Sequence, residues 1–112
     1  MPRKRARAYS TASREAARLL GQLIRLQRLE RKVTAEDLAD RAGITRTTLR
    51  KIEHGDLSCE LGLAFEVAAL VGVQLFGREP SALGDLSARL ADKIALLPKT
   101  ARPTAGSVDD DF

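Results

Sequence analysis

Leu20, Leu23 and Ile24 recur at three- and four-residue steps, while Arg18, Gln22 and Arg25 fall on the other side. That is the pattern of an amphipathic helix. Ser10, Thr11 or Ser13 can accept from its first free amides, so the helix is expected to begin there and run to about Lys32. A box-like start follows at Thr34–Asp37, where a hydroxyl can accept from the amide three residues on and an acid sits in the positive first turn. Leu38, Ala39 and Ala42 form the apolar side of this second helix, and Gly43 ends it by taking a positive φ. Thr45 then caps a third helix. Leu49 and Ile52 point inward from it, Gly55 terminates it, and Arg46, Thr47, Arg50, Lys51 and His54 are left on the opposite side.

The second and third helices have only about two turns each and are marginal alone, so they need the long first helix and a fourth element to hold them. "CELGLAFEVAALVG" supplies that element, with Ser58 as the expected cap and Gly72 as the end. It is apolar on nearly every side, which predicts that Leu61, Phe65, Ala68 and Val71 serve both as core and as subunit contact. "VQLFG" reads equally as a brief extended piece or a turn. From Ser81, the residues Leu83, Leu86, Leu90, Ile94 and Leu97 form one stripe of a final helix that Pro98 ends, its other side charged. Residues 1–11 are expected to be a basic flexible arm, 12–98 the folded domain, and 99–112 a disordered acidic tail with no apolar period.

A chain of 112 residues supports one small core rather than two. Its aromatic residues are only Tyr9, Phe65, Phe76 and Phe112, while Ala and Leu abound, which favours packed helices over a sandwich or barrel. The expected fold class is all-α.

Charge is unevenly spread. Residues 1–32 carry ten Lys/Arg against Glu15 and Glu30, and acids outnumber bases over the rest of the chain. A basic front end suits a polyanion, with nucleic acid ahead of an anionic membrane surface. An Arg-rich start with serines also has features of an organellar transit peptide, against which Glu15 and the early core spacing argue. Cys59 is alone, which fits a cytoplasmic protein, and no apolar run approaches the length of a membrane span. No metal site, cofactor or catalysis is expected: His54 is the sole histidine, and there is no glycine-rich phosphate loop, no HExxH and no spaced Cys/His cluster.

A short helix, a glycine turn and a second helix is the spacing that lets one helix brace and the next enter the DNA major groove. Arg46 and Lys51 can donate to guanine O6 and N7, and Thr47 can reach a base edge or a thymine methyl. Arg50 belongs to the same reading set but lies with His54 nearer the rim, where both can hold phosphates.

From about Leu20 to Phe76 the sequence resembles the lambda-repressor-like (Xre) DNA-binding domains, through "LGQLIRLQRLERKVTAEDLADRAGITRTTLRKIEHG" and "AFEVAALVGV". The resemblance implies five helices with the second and third as the helix-turn-helix. It implies base reading by Arg46, Thr47 and Lys51, phosphate contacts near Thr34, Thr45 and His54, and an internal ion pair between Arg28 and Glu53. Ala35 stands where the family often has a phosphate-holding Gln, and Gly62 or its neighbours where some members have a basic residue. The arm residues Arg3, Lys4, Arg5 and Arg7 are the obvious supplement, by following the minor groove.

More narrowly, "LGLAFEVAALVGVQLFG" and the "DDDF" ending resemble antitoxins of the HipB type, paired with HipA-type kinase toxins. This closer likeness implies a homodimer that represses its own operon at inverted repeats on double-stranded DNA in the cytoplasm, associated with the nucleoid, and that restrains the kinase. Asp109, Asp110, Asp111 and Phe112 are the expected partner-binding tail. The competing expectation is a protein-binding module for which DNA is secondary.

Overall fold

Ser10 starts the first helix by accepting the Ser13 amide on its Oγ at 3.2 Å. The computed structural model in which this is seen describes residues 7–101. Five α-helices appear among the described residues: α1 (Thr11–Glu30), α2 (Ala35–Ala42), α3 (Arg46–Glu53), α4 (Leu61–Leu70) and α5 (Leu83–Ala95), with a single 3-10 turn at Pro80–Ala82. The all-α expectation holds. The chain divides after Pro80 into two compact units.

In the first unit, α1 turns Gly21, Ile24 and Arg28 inward, spaced along one side of twenty residues. Leu23 was expected beside Ile24 but is 38% exposed, as are its neighbours Leu19, Leu26 and Leu29 to a greater degree. The inward stripe is therefore narrower than the leucine spacing suggested, because α1 is covered chiefly by α3 and α4.

Thr34 and Thr45 act alike at the next two helix starts. Thr34 Oγ1 accepts the Asp37 amide at 3.0 Å, and Thr45 Oγ1 accepts the Thr48 amide at 3.1 Å. Each satisfies a donor the helix cannot. Between these helices Gly43 takes φ 70°, the left-handed conformation that a residue with a Cβ enters only at a cost. Its amide and that of Ile44 donate back to Asp40 and Ala39 at 3.2 and 3.0 Å, closing α2 within one turn.

The fourth helix departs from expectation at its start. Ser58 does not cap it: its amide and hydroxyl both donate to Asp56 Oδ1, at 2.7 and 2.6 Å, and the helix begins at Leu61 after Glu60, which makes no side-chain cap bond. Nor is Leu61 core, being 68% exposed. After Gly72 the chain closes a tight turn in which Leu75 bridges Arg78 through Phe76 (φ 56°) and Gly77 (φ 66°). The "VQLFG" segment is thus a turn with one bridge, and the Phe76 ring meets Phe65 edge-on at 6.3 Å.

Every helix of this unit sends side chains to one core: Ile24 from α1, Leu38 and Ala39 from α2, Leu49 and Ile52 from α3, and Val67 and Ala68 from α4, with Val71 and Val73 just beyond. The second unit, by itself, is described to Ala101 and contains the helix α5. None of its described residues is buried, and Leu90, Ile94, Leu96 and Leu97 are exposed.

Candidate nucleic-acid interface

The third helix is oriented by what lies beneath it. Leu49 and Ile52 are 1% and 4% exposed, which fixes its rotation and sends Arg46, Thr47, Arg50 and Lys51 to the surface, all exposed. Its far end is held more tightly still. Arg28 of α1 meets Glu53 with two parallel bonds, Nε to Oε2 at 2.8 Å and Nη2 to Oε1 at 3.2 Å, while Nη1 donates to the Val33 carbonyl at 3.1 Å. The two side chains are 11% and 7% exposed, so the pair is nearly dry, and each of the three guanidinium nitrogens has an acceptor.

Gly21 was not singled out by the sequence pattern, yet it sets how closely α1 and α3 approach. A Cβ there would stand 2.5 Å from the Ile52 carbonyl oxygen and closer still to that of Glu53. The sign was present: a lone glycine inside a long helical pattern usually marks a close packing contact.

Thr34 and Thr45, expected near phosphates, are both exposed at helix starts, but their hydroxyls differ in freedom. Thr45 also donates its proton to Thr48 Oγ1 at 3.0 Å, whereas Thr34 has no side-chain acceptor among the described residues. His54 follows α3 directly. Its Nδ1 lies 2.8 Å from the Arg50 carbonyl, which can only accept, so Nδ1 carries the hydrogen. Nε2 is then a lone pair on the neutral ring and a donor only on the imidazolium. Arg7 is exposed; Arg3, Lys4 and Arg5 lie outside the described residues, as do Asp109, Asp110, Asp111 and Phe112.

Beside the exposed side of α3 is a hollow of about 240 Å³, lined by Arg25, Arg28, Ala35, Arg46, Leu49, Arg50, Glu53 and His54. Carboxylates elsewhere do not neutralise it: among the described residues the ion pairs are Arg18–Glu15, Arg28–Glu53 and Arg41–Asp37. Cys59, which is half-buried, has its thiol pushed up by burial and then by the nearby Asp56 charge, so the nucleophilic thiolate is disfavoured. No group of His, Cys, Asp and Glu among the described residues is placed to hold a metal ion. No helix there is long and apolar enough to cross a membrane.

Comparison with known proteins agrees with this geometry. A family model described as Helix-turn-helix matches residues 24–76, from the middle of α1 to the turn after α4. A protein of Methanothermobacter thermautotrophicus named as an HTH-type transcriptional regulator is 44% identical over 50 residues, covering 45% of this chain and 72% of that protein. The chain belongs to the helix-turn-helix family. No solved structure matches it significantly. Within the helix-turn-helix, α2 is the bracing helix, Gly43 to Thr45 the turn, and α3 the helix that leaves its polar side uncovered. Everything before Ile24, which includes the first thirteen residues of α1, and everything from Gly77 on fall outside the matched span.

Proposed function

We propose that the protein is a sequence-specific DNA-binding repressor, with α3 lying in the major groove. Arg46, Thr47 and Lys51 read base edges, and Arg50 reaches a base or the adjoining phosphate. Thr34, the amide end of α3 at Thr45, and His54 contact the backbone, and the arm residues Arg3, Lys4, Arg5 and Arg7 add sequence-independent grip. The observation that carries this reading is the division of α3 itself. One side is anchored by Leu49, Ile52 and the dry Glu53–Arg28 pair, and the other presents two guanidiniums, an ammonium and a hydroxyl together. A rigid support under a cationic row is what base reading requires.

The protein acts as a dimer on inverted repeats, its two recognition helices about 34 Å apart. It regulates its own operon and restrains a HipA-type kinase, as the resemblance to HipB-type antitoxins suggests. The exposed Leu90 and Ile94 on α5, with Leu97 just past its end, support a protein contact, for a second copy or for the kinase.

The test is equilibrium binding of the full chain to a duplex from its own upstream region and to a random duplex of equal length, at physiological salt. Preference for the former is expected, and Arg46→Ala is expected to lose about 1 to 3 kcal/mol of that discrimination. No preference in the parent protein, or equal loss on both duplexes in the variant, would overturn the reading.

A further inference from the structure

The first helix has apolar residues on two sides, and the core uses one of them. Gly21, Ile24 and Arg28 turn inward, whereas Ala12, Ala16, Leu19, Leu23 and Leu26 recur along another side at alternating steps of four and three, all exposed. Alternation of this kind, kept up over about four turns, is the seam of a helix pair rather than the scatter of single leucines that any surface tolerates. The charges of α1 respect the seam. Ser13, Glu15, Leu20, Gln22, Gln27 and Leu29 flank it, with no base among them, and Arg14, Arg18, Arg25 and Arg28 lie elsewhere around the helix. A second copy with the same row of arginines is repelled on their side and can approach along the seam without bringing two bases together.

We propose that this side of α1 is the contact with a second copy of the chain, the two first helices packing antiparallel about a two-fold axis. The proposal deepens the dimer named above by assigning the helix that forms it. Size is graded along the seam, with alanines in its first half and leucines in its second. Antiparallel pairing sets Leu26 of the partner subunit on Ala16 and Leu23 of the partner subunit beside Leu19, so large meets small where a parallel pair would stack alanine on alanine. Ala16 also borders a hollow of about 430 Å³ that continues past Leu20 to Leu57, Leu61 and Ala64, which gives the incoming leucine room. The same register carries Glu30 of the partner subunit to Ala12, in the first turn of α1. That turn has no acid of its own, and a carboxylate there offsets the positive end of the helix, once for each copy. Arg25 borders the hollow beside α3 and lies across α1 from Leu19 and Leu23, so the pairing leaves the charged row of α3 uncovered.

The experiment is sedimentation equilibrium of the full chain without DNA, for the parent, Leu19→Glu, Leu26→Glu and Glu30→Lys. Each leucine variant is expected to weaken self-association by at least about a hundredfold, because the symmetry plants the added charge twice in one contact. Glu30→Lys is expected to weaken it roughly tenfold, by reversing the charge at the partner helix start. All three side chains are exposed, so helix content by circular dichroism should stay that of the parent, and either leucine variant carries the test if the other folds poorly. Register is read by mild oxidation in a Cys59→Ser background, where Ala16→Cys chains mixed with Leu26→Cys chains should cross-link to each other in preference to their own kind. Cross-links of like with like would overturn the antiparallel packing. Parent-like association in the leucine variants would overturn the seam and leave the dimer to another side of the molecule. A parent that stays monomeric at its highest soluble concentration would remove seam and dimer together. Association lost in the leucine variants, in a parent with no preference for its upstream duplex, would uphold the seam while ending the DNA reading.

Discussion

Two neighbouring helices of similar length, α3 with eight residues and α4 with ten, solve the problem of burial in opposite ways. In α3 the apolar residues are few and all on one side, so the helix has a single orientation and its charged row has a single place to go. In α4 apolar residues surround the axis, and pattern alone cannot say which side is inside. The core takes Val67 and Ala68 and leaves Leu61 exposed. The starts differ too: Thr45 fastens α3 with its hydroxyl, while Glu60 makes no side-chain bond at α4. What the difference teaches is that α3 is held as an instrument, fixed at both ends and along one side, and α4 is held chiefly as filling.

The largest effect that tests this contrast is expected from Arg28→Ala, which strands the Glu53 carboxylate in a nearly dry site and should cost about 3 to 5 kcal/mol. Urea denaturation measures it, and an unchanged midpoint would mean that α3 is not anchored by this pair. Next comes Gly21→Ala, whose added methyl meets the backbone carbonyls at the end of α3 and should cost about 1 to 3 kcal/mol through overpacking. A gain in stability, as the better helix propensity of Ala would give on an uncrowded side, would break the claim of close approach.

The capping contrast is sharper in kind though smaller in size. Thr45→Ala should lose about 1 kcal/mol, since it removes an acceptor from the Thr48 amide. Glu60→Ala and Leu61→Ser on α4 should both stay within about 0.5 kcal/mol, since neither side chain has a described role in holding the fold. Equal losses at Thr45 and Glu60 in thermal melts would erase the distinction between the two starts.

The smallest expected effect concerns the loop that joins these helices. The Asp56 carboxyl is held below its ordinary value by the hydrogen bond from the Ser58 hydroxyl and then by that from the Ser58 amide. A depressed folded value means that its contribution to stability is complete above the usual carboxylate range and is lost as pH falls through that lowered value. Asp56→Asn should therefore lower stability slightly at neutral pH, leave the acid end nearly unchanged, and so flatten the acid limb of a stability-against-pH curve. A loss of pH dependence near neutrality instead would show that some other group had been perturbed.

Much of the first unit was legible from the chain. Thr34, Gly43 and Thr45 act at the positions their chemistry predicts, because a cap or a left-handed glycine depends on atoms only a few residues away. Ser58 misled for a related reason: its amide and hydroxyl both donate to Asp56, two residues before it, and such a local turn is hard to rank against a cap without coordinates. Leu23 misled because leucine spacing names an apolar side but not how wide a strip its neighbours will cover.

The residues of the proposed DNA surface divide along the same line. That Arg46, Thr47, Arg50 and Lys51 share one side of α3 follows from their spacing and from Leu49 and Ile52 opposite, so the sequence alone determined which groups are presented together. That Gly21 admits the end of α3, that Arg28 and Glu53 are dry, and that Arg25 borders the same hollow as Arg46 and Arg50 were decided only by tertiary structure. Helical periodicity orders groups along one axis, whereas the distance between groups on two helices depends on how closely their backbones approach, and that is set by packing.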